Sequence, residues 1–175
     1  MKNNSTKIFM IIYLLLFILL IILFIVVINN IYQVKIEDPK VISKSELYKQ
    51  KINCDPIIID IVFEKSKKYN IDADIIISII YTESRFQNIK GYHNRNRSQD
   101  FGYMQLNNYY FKGDLLNPEF NIDTGTKFFC KCLQQEHGNI TKALQRYNTW
   151  NGRVSLIYID NFWNYRIFLK SLEKE

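Results

Sequence analysis

At 175 residues the chain has room for one domain of ordinary size plus an appendage. The formal net charge is +6, but Lys2 and Lys7 precede an apolar run; past it, 21 basic residues face 17 acidic ones, leaving +4. That mild excess suits an anionic polymer or a plain solvated surface. The Lys and Arg residues do not cluster on one helix, so no nucleic-acid partner is expected.

From Ile8 to Ile28 the chain runs for 21 residues without a charge, with Tyr13 its one polar interruption. As an α-helix such a run spans roughly 30 Å, the thickness of a bilayer core. Val26-Val27-Ile28-Asn29-Asn30 lacks the small-residue pattern of a cleavage site, and no cysteine stands nearby for lipid attachment. Residues 8–28 are therefore expected to form an uncleaved, single-pass anchor in the cell membrane, after a short cytoplasmic tail of residues 1–7. Lysines flank the run on both sides, so charge alone does not orient it.

Residues 29–53 are mixed and charged and contain Pro39, which reads as a juxtamembrane tether. Within them Ser43-Lys44-Ser45-Glu46 resembles a capping box and predicts a short helix to about Gln50. Residues 54–175 read as the folded domain. Asp55-Pro56 reads as N-cap and first helical residue, with Ile58, Ile61, Val62 and Tyr69 on one face. Asp72 caps a helix from Ala73 to about Thr82, whose five isoleucines leave almost no polar side, as befits the centre of a core.

The segment from Gln87 to Asp100, rich in Asn, Arg and Ser, predicts irregular chain or a small hairpin. Asn121 is read as preceding a helix that carries Gly125 and ends at Gly138. Asn139 opens another, with Ile140, Ala143, Leu144 and Tyr147 at helical spacing. A last helix runs from about Ser155, with Ile159, Trp163 and Ile167 as its stripe. The fold expected is mainly α-helical.

Three cysteines leave at most one bridge: Cys130 is the better partner for Cys54, since Cys132 shares the core face, and three free thiols are equally compatible. His93 and His137 stand alone and no C-x-x-C occurs, so neither a metal nor another cofactor is expected.

Glu83 closes the apolar helix. Desolvation there disfavours the charged carboxylate and raises its pKa toward the range of a general acid near neutral pH. Alone, this is the pattern of an ordinary surface glutamate. Four motifs in order change its weight: Glu83-Ser84-x-Phe86, Gly102-Tyr103-Met104-Gln105, Asn121-Ile122-x-x-Gly125 and Tyr147-Asn148. Together they resemble the soluble lytic transglycosylase family of lysozyme-like muramidases over about residues 70–153.

The resemblance implies a lysozyme-like helical domain acting on peptidoglycan glycan strands. It implies that Glu83 is the sole catalytic acid and later the base, cleaving the β-1,4 bond between N-acetylmuramic acid and N-acetylglucosamine to leave 1,6-anhydro ends. Ser84 and Gln105 would bind substrate near the scissile bond, Tyr147 would hydrogen-bond and orient Glu83, and Asn148 would line the cleft. The catalytic domain would then lie on the outer, wall side of the membrane. Wall growth, a secretion or conjugation machine, and a phage system are all compatible settings.

Two departures stand out. The family places Gly two residues after Tyr-Asn, whereas Thr149-Trp150 follows here, making Trp150 either a sugar-stacking platform or a buried ring. In addition, Ser98-x-Asp100-Phe101-Gly102-x-x-Gln105-Leu106-Asn107 is similar to chicken-type lysozymes, in which an Asp follows the acid. Asp100 is thus either the cap of a helix beginning near Gly102 or a second carboxylate that would make the protein a hydrolase. A glycan-binding module without turnover is the third alternative, and the intact Glu83 argues against it.

Overall fold

The computed structural model describes residues 3–32, 42–149 and 155–174. The chain divides into two units, Met1–Val41 and Ile42–Glu175.

In the first unit α1 covers Asn3–Tyr32. Its segment Lys7–Ile28, 22 residues with mean hydropathy 3.7, is long and apolar enough to cross a bilayer. Membrane anchors and export signals share those properties.

The second unit is a helical domain with a small sheet. Helix α2 (Lys44–Lys51) starts where Ser43 accepts a hydrogen bond from the Glu46 amide. For residues 42–53 the tether reading is corrected, because α2 belongs to the compact unit, while residues 33–41 of the expected tether lie outside the described residues. Tyr48 is fully buried, and its hydroxyl lies 2.9 Å from Asp74 Oδ1 and 2.9 Å from Glu173 Oε1. Lys44 joins the same two carboxylates at 2.7 and 2.6 Å. A residue near the start of the domain thus binds the N-terminal turn of one core helix and the C-terminal end of another.

Those helices are α4 (Ala73–Ser84) and α7 (Leu156–Leu172). Isoleucines 75, 76, 77, 79 and 80 of α4 are all buried, so this helix is apolar all round and is wrapped by α3 (Pro56–Tyr69) and α7. Asp55 and Asp72 cap α3 and α4, each accepting from the amide two residues on. In α7 the buried residues are Phe162, Leu169 and Leu172, with Tyr158 and Tyr165 packed alongside, whereas Ile167 is 65% exposed. The stripe therefore runs 158, 162, 165, 169, 172. Of the expected 159, 163, 167 series, Ile159 and Trp163 also pack against the core from its flank, and Ile167 does not.

After α4, Arg85 and Phe86 both take positive φ (54° and 60°) and turn the chain into a three-stranded antiparallel sheet: β1 (Lys90–His93), β2 (Gln99–Phe101) and β3 (Leu106–Asn107). The hairpin expected in this segment is present. The helix expected near Gly102 is not. Residues 102–105 form a turn with Gly102 at φ +77°, and Asp100 pairs with Asn107 across β2 and β3.

Asn117 caps α5 (Pro118–Gln135), so Asn121 lies inside the helix rather than before it. Fully buried, Asn121 accepts from the Met104 amide at 2.8 Å and donates to the Phe101 and Leu115 carbonyls, both at 2.9 Å. One amide side chain thereby satisfies three backbone groups of the 101–115 segment and fixes it on α5. Helix α5 ends in a Schellman motif through His137 and Gly138, and Asn139 caps α6 (Ile140–Asn148). Cys54, Cys130 and Cys132 are free thiols.

Gly125 is where Met104 enters α5: a Cβ there would lie 2.5 Å from Met104 Sδ. On an open helix face Gly→Ala would stabilise by about 1 kcal/mol. Here overpacking should win, and Gly125→Ala should lower the urea-unfolding free energy by about 1–3 kcal/mol.

Candidate active site

Glu83 occupies the last turn of α4, where the helix stops at the left-handed Arg85 and the sheet begins. The guanidinium of Arg85 lies 3.9 Å from the Tyr81 ring centroid and fastens this exit from the outside. Ser84 Oγ faces the Tyr103 carbonyl at 2.8 Å and the Ile80 carbonyl at 3.1 Å, tying α4 to the turn that carries Gln105. With only 4% of its surface exposed, Ser84 holds the scaffold together and does not line the cleft.

Around Glu83 lies a cleft of about 540 Å³. Asp100 and Gln105 from the sheet and its turn, and Tyr147 and Asn148 from α6, share it with Glu83. The structure thus brings together five of the seven side chains singled out from sequence. Ser84 stands behind the wall, and Trp150 lies outside the described residues.

The hydrogen bonds differ from the expected set. Tyr147 donates to the Met104 carbonyl at 2.8 Å, bracing the Gln105 turn. Tyr158, from the first turn of α7, takes the partner role and donates to Glu83 Oε1 at 2.6 Å. Nothing local marked Tyr158, since its partner is 75 positions away. Its spacing from Phe162, Tyr165, Leu169 and Leu172 would have placed it on the buried stripe. Asn148 also hydrogen-bonds Glu83. The Gln105 side-chain amide donates to the Gly102 carbonyl at 2.7 Å, fixing its own turn at the cleft edge. Asn107 donates to Asp100 Oδ1 at 2.8 Å.

Burial pushes the Glu83 carboxyl up to about 7. The hydrogen bond from Tyr158 opposes that rise, the negative charge of Asp100 adds to it, and Asn148 opposes it again. The negative end of the α4 dipole works in the same direction as burial. Near neutrality Glu83 can therefore hold a proton to give and, once ionised, take one back. Among the described residues no group of three or more His, Cys, Asp or Glu side chains could hold a metal.

The model of the transglycosylase SLT domain matches residues 60–157, more than half of the chain and every residue that lines the cleft, with Tyr158 just beyond it. The chain belongs to the transglycosylase SLT family. The domain is lysozyme-like, and its activity is of the lytic transglycosylase type, directed at peptidoglycan. No curated protein matches the chain.

A raised carboxyl pKa has a cost in stability whose sign is fixed. Below the unfolded value of about 4.5 both states are protonated and nothing is lost; as pH rises toward about 7 the unfolded chain ionises first and the folded state loses ground. Glu83→Gln cannot ionise. Its unfolding free energy in urea should exceed that of the parent increasingly from pH 5 to 8, by about 2–3 kcal/mol at the top. The upper figure is the full pKa difference, the lower allows for water in the cleft.

Proposed function

We propose that the protein is a membrane-anchored lytic transglycosylase in which Glu83 alone performs both proton transfers. The observation that carries this is a glutamic acid at the end of a buried helix, facing the cleft with its pKa near 7 and a tyrosine hydroxyl on one oxygen. In the first step Glu83 donates its proton to the oxygen joining N-acetylmuramic acid C1 to N-acetylglucosamine. The C1–O bond breaks and N-acetylglucosamine departs with a free 4-hydroxyl. The muramyl 6-hydroxyl then attacks C1 while the Glu83 carboxylate takes its proton. The product is a 1,6-anhydro end, Glu83 is protonated again, and no water is consumed. Proton transfer of this kind contributes roughly 10²–10⁴-fold in rate.

Tyr158 is a positioning residue in this scheme. Its donated hydrogen bond favours the ionised carboxylate that the second step needs, and fixes the orientation of the carboxyl group at the cleft. Gln105 and Asn148 line the cleft beside Glu83, where the amide groups not spent on the Gly102 turn and on Glu83 would meet the N-acetyl and hydroxyl groups of the sugars. In this proposal residues 8–28 hold the enzyme in the membrane, and the domain works on the wall side.

A lysozyme-type hydrolase is the second reading, favoured by one observation: Asp100 lines the same cleft and its charge acts on Glu83. Against it, Asp100 is engaged by Asn107 within the sheet.

Digestion of purified peptidoglycan by the full-length protein in detergent, with mass spectrometry of the muropeptides, separates these readings. Anhydro ends, lighter by one water than reducing ends, are expected, and Asp100→Asn should keep producing them. Reducing ends alone would establish the hydrolase. Release unchanged in Glu83→Gln would remove Glu83 from the chemistry.

A further inference from the structure

We propose that Lys131 of α5 and Arg146 of α6 form a carboxylate-binding subsite in the cleft, which selects glycan strands whose peptide stems carry a free carboxylate close to the sugar. The inference rests on the peptidoglycan reading and specifies which strands the site prefers.

Both cations line the cleft that holds Glu83. Arg146 is aimed by Glu136, which accepts from its Nε at 2.7 Å and also from Nη2. Lys131 is exposed and has no ion pair among the described residues. Neither cation is needed to neutralise the cleft's own acids. Glu83 is hydrogen-bonded by Tyr158 and Asn148, Asp100 is engaged by Asn107, and among the described residues no salt bridge joins either acid to Lys131 or Arg146.

The segment that follows α4 carries the same sign. Residues 84–99 contain Arg85, Lys90, Arg95 and Arg97 and no acidic residue, so their +4 equals the whole net charge of the chain past the apolar run. Asn94, in the hairpin of this segment, also lines the cleft. An anionic strand approaching a domain with this basic excess is drawn toward it, which raises encounter rates, while Lys131 and Arg146 are the cations that line the cleft itself.

Sugars alone offer such a cleft no anion apart from a bare lactyl group. Stem peptides hang from that lactyl group on every second sugar and bring carboxylates to its side. A carboxylate between Lys131 and the aimed guanidinium of Arg146 forms charge-assisted hydrogen bonds that an amidated stem cannot make.

The probes are two synthetic tetrasaccharides of alternating N-acetylglucosamine and N-acetylmuramic acid, identical except that the α-carboxyl of the second stem residue is free or amidated. Full-length Glu83→Gln in detergent should bind the free form roughly five- to tenfold more tightly by calorimetry, with the difference shrinking in high salt. Adding Lys131→Met and Arg146→Gln should bring the ratio close to one, while Arg146→Lys should keep part of it. Equal affinity for the two probes, or a preference that survives loss of both cations, would overturn the subsite. If the preference holds in Glu83→Gln but the parent protein cleaves neither probe, the subsite stands and the catalytic reading fails.

Discussion

The site depends on one opposition, between burial of the Glu83 carboxyl and the hydrogen bond that Tyr158 gives it. Burial alone would hold the proton too firmly, and a solvated glutamate would have lost it long before neutrality. The two effects leave a group near 7 that can act in both directions. Everything else in the domain serves to keep that carboxyl and that hydroxyl at 2.6 Å.

Helices α4 and α7 pack antiparallel, and their contacts lock both ends. At one end Tyr158 meets Glu83; at the other Arg166 meets Asp72 at 3.1 Å, while Tyr48 and Lys44 of α2 bridge Asp74 and Glu173. Sliding α7 by one turn, about 5 Å, would break all of these together. The second half of the cleft is fixed to α5 by Asn121, whose single amide holds three backbone groups, and by Met104 seated against Gly125. The acid and the substrate-facing turn are thus carried on different elements and joined by buried polar side chains, whose loss would leave unpaired groups in the core.

Features encoded locally were legible in the sequence. Ser43, Asp55, Asp72, Asn139 and Ser155 cap helices as read, because a cap bonds to amides two or three residues away. The isoleucine run of α4 declared its own burial. Features that depend on a distant partner were not legible. Tyr48 sits in a polar segment and looks solvated until Asp74 and Glu173 are brought to it. Asn121 was read as preceding its helix, although Asn117 is the cap and Asn121 is an interior fastener. Tyr147 was expected on Glu83, yet it reaches the Met104 carbonyl, and the acid's partner is Tyr158, which the expected stripe of 159, 163 and 167 did not include. Asp100 was read as a helix cap or a second carboxylate, and its place in a sheet was missed because the two-residue strand β3 that pairs with it is too short to announce itself by alternation.

The central claim, that the fold itself sets Glu83 up as an acid near neutrality, is tested most directly by carboxyl ¹³C NMR of glutamate-labelled protein across pH. One glutamate resonance should titrate near 7, vanish in Glu83→Gln, and move to higher pH in Tyr158→Phe, where the opposing hydrogen bond is gone. If every glutamate titrates near the ordinary value of 4.5, the burial account of this site is wrong.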